Sequence, residues 1–279
     1  VIVRACSEER PSLSPFSDKS LFGSSLSITI VSPEPLYYKD SFYLADMKGM
    51  LVKLFMRYGQ SGQTLVFIGY VNSEVYEDSF SQRKNYDIYL TANNGISLLD
   101  RLVLLDEQAV PFTGLINNME LIQYCLAQLE IPYTSIYIAS LASVFSIQTN
   151  ETIFHKVFSK AENFYDETNT PMALREVLEG LLFSSLCKLY IYDNNIYIID
   201  IGLLNKETIV AKQYNFSTLA YNGLATIKDG HIVLNELGVG YSLYMTPAKN
   251  KININFNKYI NPQEEHIGVT LDNVSSPSG

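Results

Sequence analysis

The sequence predicts an α+β fold rich in β structure, and three observations carry the prediction. Tyr (20) and Phe (14) are abundant in the 279 residues while charged residues make up only 18%, a mix that suits pleated, half-buried surfaces. Segments that alternate apolar and polar residues occur at both ends of the chain. Segments with helical spacing are confined to the middle.

Taken in order, residues 7–19 carry Pro11, Pro15 and several Ser and read as an extended arm or loop. Leu26, Ile28 and Ile30 alternate with Ser27 and Thr29 until Pro33 and Pro35, the pattern of a strand with one buried face. Residues 51–58 and 65–71 repeat it around the glycines of residues 59–62, which predicts a hairpin. Residues 86–92 give a further strand with Tyr86, Ile88 and Leu90 on one face.

Helical signals then take over. Asn93 and Asn94 precede Ile96, Leu98, Leu99 and Leu102, predicting a short helix capped by Asn. Met119, Ile122, Leu126 and Leu129 recur at helical spacing before Pro132, predicting a helix over 118–129. Residues 136–145 are apolar without a clear period. Thr170 as cap, Pro171 in the first turn and the stripe Leu174, Val177, Leu178, Leu181 and Leu182 predict a third helix. It runs into a hairpin, 186–192 and 196–201, turning at Asp193, Asn194 and Asn195.

Beyond Gly202 the pattern is β again: a turn at Lys228, Asp229 and Gly230, a short strand over 241–245, alternation over 252–259, and a Ser-rich, linker-like end after Pro262. The expected domains are an N-terminal β domain over 1–109, a central α+β domain over 110–203 and a C-terminal β segment over 204–279.

Charge and composition exclude several functions. A net charge of −9 lacks the clustered cations that phosphate backbones require, so no nucleic-acid partner is expected. No apolar run approaches a membrane span, and a soluble protein is expected. The chain opens Val-Ile-Val-Arg without Met, which points to an upstream segment, and the polar residues that follow leave no room for a signal-peptide apolar stretch. Cys6, Cys125 and Cys187 are odd in number and far apart, fitting a reducing cytoplasm, with the last two as small buried hydrophobes.

The candidates for chemistry each lack a required part. His155, His231 and His266 are dispersed and no Cys-x-x-Cys exists, so no metal site is expected. His266 beside Glu264 and Glu265 reads as a solvated acidic loop. Gly23-Ser24-Ser25-Leu26-Ser27 and Gly240-Tyr241-Ser242-Leu243-Tyr244 lack the closing Gly of a nucleophile elbow. Gly59-Gln60-Ser61-Gly62-Gln63-Thr64 lacks the Lys of a phosphate loop, and Gly238-Val239-Gly240 reads as a tight corner. Glu162, Asp166 and Glu167 precede a helix and suit its dipole. The tripeptides beginning at Asn150, Asn215 and Asn273 match the glycosylation pattern by chance in an Asn-rich chain. The expectation is therefore no enzyme: no catalytic, cofactor-binding or metal residues and no cofactor.

A set of motifs in order carries a resemblance. Phe67-Ile68-Gly69-Tyr70-Val71, Tyr76-Glu77-Asp78-Ser79-Phe80 and residues 86–99, Tyr-Asp-Ile-Tyr-Leu-Thr-Ala-Asn-Asn-Gly-Ile-Ser-Leu-Leu, resemble a stretch of tail-hub, or baseplate-hub, proteins of long-tailed bacteriophages and prophages, especially those of Bacteroidetes. Asn85 stands where Pro is frequent in that family and Asn94 where Asp is frequent. Residues 118–129, 164–182, 186–190, 196–199 and 253–259 continue the likeness, with Tyr197 in an aromatic position.

The resemblance implies tube-like β-barrel units flanking the central α+β unit, the C-terminal segment completing a barrel. It implies a structural virion component at the distal end of a phage tail, a homotrimeric ring joining the tail tube and distal tail proteins to a central spike or fibre. Such a protein is assembled in the bacterial host cytoplasm and resides in the virion tail. The alternatives are a hub-like component of a contractile injection system and a cell-wall peptidase of the tail tip.

Overall fold

The alternating segments of the first hundred residues fold as one five-stranded antiparallel sheet in a computed structural model of the chain. The structure describes residues 2–9, 19–38, 48–57, 63–72, 84–106, 108–141, 148–192, 194–204, 206 and 208–228, all within the compact unit Val1–Val239. The strands are β1 (Ile2–Glu9), β3 (Ser25–Ser32), β4 (Leu51–Arg57), β5 (Gln63–Val71) and β6 (Tyr86–Asn93), in the order β1-β3-β6-β5-β4. The chain is α+β and β-rich, and its antiparallel sheets are curled and include a half-barrel. Register shifts at Val3/Ala5 and Leu54/Phe55 are bulges, which bend strands and increase twist.

Period two sorts this sheet's side chains. Ile30 pairs with Ile88 and Leu26 with Ala92, and with Phe67, Val71 and Leu90 they make two small buried clusters on one face. The alternate residues of β5, Ile68 and Tyr70, point to the other face and join the main core.

A second sheet has six strands, adding β2 (Leu21–Phe22), β8 (Ser135–Ala139), β10 (Cys187–Tyr192), β11 (Asn195–Asp200), β12 (Thr208–Asn215) and β13 (Tyr221–Lys228) in the order β13-β12-β8-β11-β10-β2. Its members come from all three expected segments. The 208–228 hairpin attaches to β8, and β2 runs parallel to β10. A two-stranded ribbon pairs β7 (Leu115–Asn117) with β9 (Phe158–Lys160).

Helices α1 (Asn118–Ala127) and α3 (Leu174–Ser184), with the short α2 (Ile153–Lys156), supply the rest. One core unites Met119, Ile122, Leu126, Leu178 and Leu182 of the helices with Ile136, Ile138, Leu189, Ile196 and Ile198 of the second sheet. On the sheet's other face Tyr190, Tyr197 and Tyr137 pair across β10, β11 and β8 and stack with ring centroids 4.9 Å apart, nearly parallel. That spacing is the interstrand distance, so register alone aligns the rings. Phe22 extends the row beside Tyr190. Lys188, 1% exposed on the same face, donates to the Lys19 carbonyl at 3.2 Å and stands 5.1 Å from the Phe22 ring centre.

Several expectations need correction. Residues 7–9, expected in the arm, end strand β1. Residues 96–100 are a 3₁₀ turn whose N-cap is Gly95 at φ 90°, not an Asn-capped α-helix; a left-handed position one residue before Ile96 favours Gly. The N-cap of α1 is Asn117, whose side chain accepts from the N–H groups of Met119 and Glu120. The third helix starts three residues after Pro171, with Ala173 at its N-cap. Tertiary pairing takes the expected first turn: Pro171 bridges Tyr165, Ala173 bridges Val103, and the Leu174 N–H donates to the Leu102 carbonyl at 2.8 Å. A backbone carbonyl thereby does what a side-chain cap would have done. Residues 136–139, left without a period by the sequence, are a strand buried on both faces, which explains the missing alternation.

β10 and β11 pair from Cys187–Asp200 to Tyr192–Asn195, so Asn195, expected in the turn, is already in the strand. Asn194 has φ 58°, a conformation Asn tolerates, while Asp193 lies outside the described residues. Also outside them are residues 10–18, 58–62 and 73–83, and the expected turn and strands beyond Lys228.

Candidate functional site

The motif residues of the N-terminal half converge where the first sheet meets the helical layer. At Gly69 of β5 a Cβ would stand 2.1 Å from the Asn93 carbonyl oxygen of β6, so only Gly allows the two backbones this approach. Tyr70 follows, and its hydroxyl donates to the Leu129 carbonyl beyond α1 at 2.9 Å. Lys48 ties the same corner, donating to the Gln128 carbonyl and to Glu130, both at 2.7 Å. Gly95 begins the 3₁₀ turn against Leu129 and Ile131. The Phe-Ile-Gly-Tyr and Asn-Asn-Gly-Ile motifs thus build a joint between sheet and helices.

A cleft of about 390 Å³ opens beside this joint, lined by residues that include Lys19, Phe22, Ser24, Asn94, Ser97 and Arg175. Asn94 is 2% exposed. Its Oδ1 accepts from the Ile96 N–H at 3.5 Å and would crowd any Cβ at Gly23, at 3.0 Å, while its Nδ2 has no hydrogen-bond partner among the described residues. That nitrogen is sealed from solvent, so it reaches nothing in the cleft. Arg175 bridges Asp100 at 2.9 Å and Glu179 at 3.0 Å, and both bonds raise its pKa against a burial that opposes them. The described lining offers hydroxyls, the Lys19 ammonium and a guanidinium already paired with two carboxylates.

The other titratable candidates have structural partners. Burial pushes the Cys187 thiol up to about 12 and the Cys125 thiol higher still, the state of inert core cysteines. Asp166 Oδ1 accepts from the N–H groups of Thr168 and Thr170 and from the Thr168 hydroxyl, bonds that hold its carboxyl below the ordinary range. Asn215 caps its own turn, accepting from Ser217 and Thr218, so its tripeptide has a local structural role. Glu162 accepts from the Gly114 N–H at 3.3 Å. Among the described residues no three His, Cys, Asp or Glu side chains are grouped to hold a metal ion, and no helix is long and apolar enough to cross a membrane. His231, Glu264, Glu265, His266 and the Gly238-to-Tyr244 stretch lie outside the described residues.

His155 is the one described histidine, and sequence reading missed its part. Its Nδ1 accepts from the Thr152 N–H at 3.2 Å, the Thr-x-x-His spacing standing in for the Thr-x-x-Glu of a capping box. The signal was in the sequence, disguised by an unusual residue at its last position. The tyrosine row was legible only as alternate positions on separate strands, because pairing decides which strands adjoin.

Surfaces remain. In the first sheet β1 and β4 are the two end strands, and Phe55 of β4 is 50% exposed. Tyr89, Leu115, Phe158 and Leu224 are also exposed apolar side chains. No protein-family model, no curated protein and no solved structure matches the chain.

Proposed function

We propose that the chain is a structural component of a phage tail, a hub at the distal end of the tail tube that works as a homotrimeric ring around a central spike or fibre. The observation that carries the proposal is the half-barrel with two different ends. A sheet ending in β1 on one side and β4 on the other presents two unlike edges, and an unpaired strand edge is a template for another chain. Joining unlike surfaces head to tail gives a ring wherever the rotation closes. Motif order supports the same reading, since two of the motifs that carry the resemblance, residues 67–71 and 86–99, build the joint that fixes this sheet on its helical support.

In this arrangement the tube-like β unit lines the ring and α1 and α3 lie outside it. The tail tube, distal tail proteins and the spike are the partners, the virion tail is the location, and the chain has a mechanical role without a cofactor.

Reconstruction of the particle that contains the chain tests the proposal. Three copies per ring with the first sheet toward the axis is the expected result. Six copies per ring, or α1 and α3 facing the lumen, would overturn it.

A further inference from the structure

The turn that leads into α2 is fastened to the second sheet through an imidazole. In an ordinary capping box a Glu or Gln at the third helical position reaches back to the N–H of the N-cap residue. Here His155 does so: Nδ1 accepts from the Thr152 N–H at 3.2 Å and lies 2.9 Å from the Thr152 hydroxyl. Accepting from the Thr152 N–H requires a free lone pair on Nδ1, which assigns the proton of the neutral ring to Nε2.

The imidazole also packs on the Tyr214 ring of β12, centroids 4.9 Å apart. Around it the same segment is tied down at several points, one of them the Asn117 Nδ2 bond to the His155 carbonyl at 2.9 Å. The Tyr214 hydroxyl donates to the Asn150 carbonyl at 3.0 Å, and Lys212 of β12 donates to the Glu151 carbonyl. The charged groups that face the ring are Glu151 and Lys156 from its own segment and Lys212 from β12; Lys156 bridges Glu151 at 2.9 Å. The phenol of Tyr214, which also feels Tyr221 of β13, is pushed up by burial and stays neutral.

We propose that His155 is a pH-sensitive cap, holding residues 152–157 against β12 while neutral and loosening them when Nδ1 takes a proton. Protonation adds one proton from solvent at the atom toward which the Thr152 N–H already points, leaving two donors face to face. Burial is the main cause that lowers the His155 pKa, with Lys212 and Lys156 adding to it and Glu151 opposing. A group that is neutral in the fold and free to charge on release contributes stability above its ordinary value of 6.5, and the contribution is lost as pH falls through the lowered value. The loosened segment runs directly into β9, whose Phe158 is 54% exposed, so acid loosens the root of the β7–β9 ribbon. This device does not depend on the hub reading.

Amide hydrogen exchange of the full chain at about pH 7.5 and about pH 5, corrected for intrinsic rates, tests it. In the parent, protection of residues 152–157 falls about fivefold at the lower pH, the effect of losing one cap. His155→Gln restores an ordinary Thr-x-x-Gln box without a titrating group, and its protection stays level. An equal fall in the variant, or no fall in the parent, overturns the proposal. Should the variant fail to fold, imidazole nitrogen NMR of the parent decides: Nδ1 must be unprotonated at about pH 7.5 and protonated at about pH 5, and a protonated Nδ1 at the higher pH refutes the cap.

Discussion

Adding one methyl group at Gly69 is expected to cost more than most single substitutions in this chain, and the structure gives the reasons. The new Cβ would stand 2.1 Å from the Asn93 oxygen, 2.6 Å from its carbonyl carbon and 2.9 Å from Phe67 Cζ. The Phe67 ring can rotate; the Asn93 backbone cannot, because it pairs with both Tyr70 and Ser25. The strands must separate, which adds overpacking strain of ~1–3 kcal/mol to one or two weakened ladder bonds at ~0.5–1.5 kcal/mol each. The reduced freedom of the unfolded chain returns ~0.4–1 kcal/mol. The net is a loss of about 2–4 kcal/mol, a large part of the ~5–15 kcal/mol of a typical fold.

Gly180→Ala is the control. Gly180 lies within α3 and nothing approaches its added Cβ within 4 Å, so the higher helix propensity of Ala should raise stability by ~0.8–1.0 kcal/mol. Urea unfolding of the full chain with an unchanged slope measures both. Gly69→Ala within ~0.5 kcal/mol of the parent, or both variants shifting in the same direction, would refute the close approach of β5 and β6.

Three further outcomes are expected. Leu182→Ala removes a side chain with no exposed surface from the main core and should lower stability by ~2–5 kcal/mol; an unchanged thermal midpoint would put the apolar stripe of α3 on the wrong face. Tyr133→Phe deletes a buried hydroxyl that has no hydrogen-bond partner among the described residues, so calorimetry should find stability unchanged or raised by up to ~1 kcal/mol, and a marked loss would reveal a partner. Asn117→Ala removes the cap of α1 and the Nδ2 bond to the His155 carbonyl at a cost of ~2 kcal/mol, with Asn117→Asp restoring the cap alone; equal losses in the two variants would show that the side-chain oxygen does not cap.

Element identity followed from local pattern wherever one face of a segment is buried. Leu26 to Ile30, Ile88 to Ala92 and the stripes of α1 and α3 are legible because period two or 3.6 is the trace of a single buried face. Pattern fails where both faces are buried, as in Ile136 to Ala139, and where a distant backbone supplies what a side chain was expected to supply, as the Leu102 carbonyl does for Leu174. Absent motifs were legible too: a missing Gly or Lys is a fact of sequence, and so is the wide spacing of the cysteines.

Only the tertiary structure could decide the rest, because those features depend on which distant segments adjoin. The sequence contains Gly69 and Asn93 but not the contact that makes Gly necessary. It contains Tyr137, Tyr190 and Tyr197 but not the register that stacks them. It contains Thr152 and His155 at capping distance, but only the packing of β12 places Tyr214 and the Lys212 ammonium against the ring. Local pattern determines which face of a segment avoids water; strand pairing and packing, which involve residues tens of positions apart, determine what that face meets.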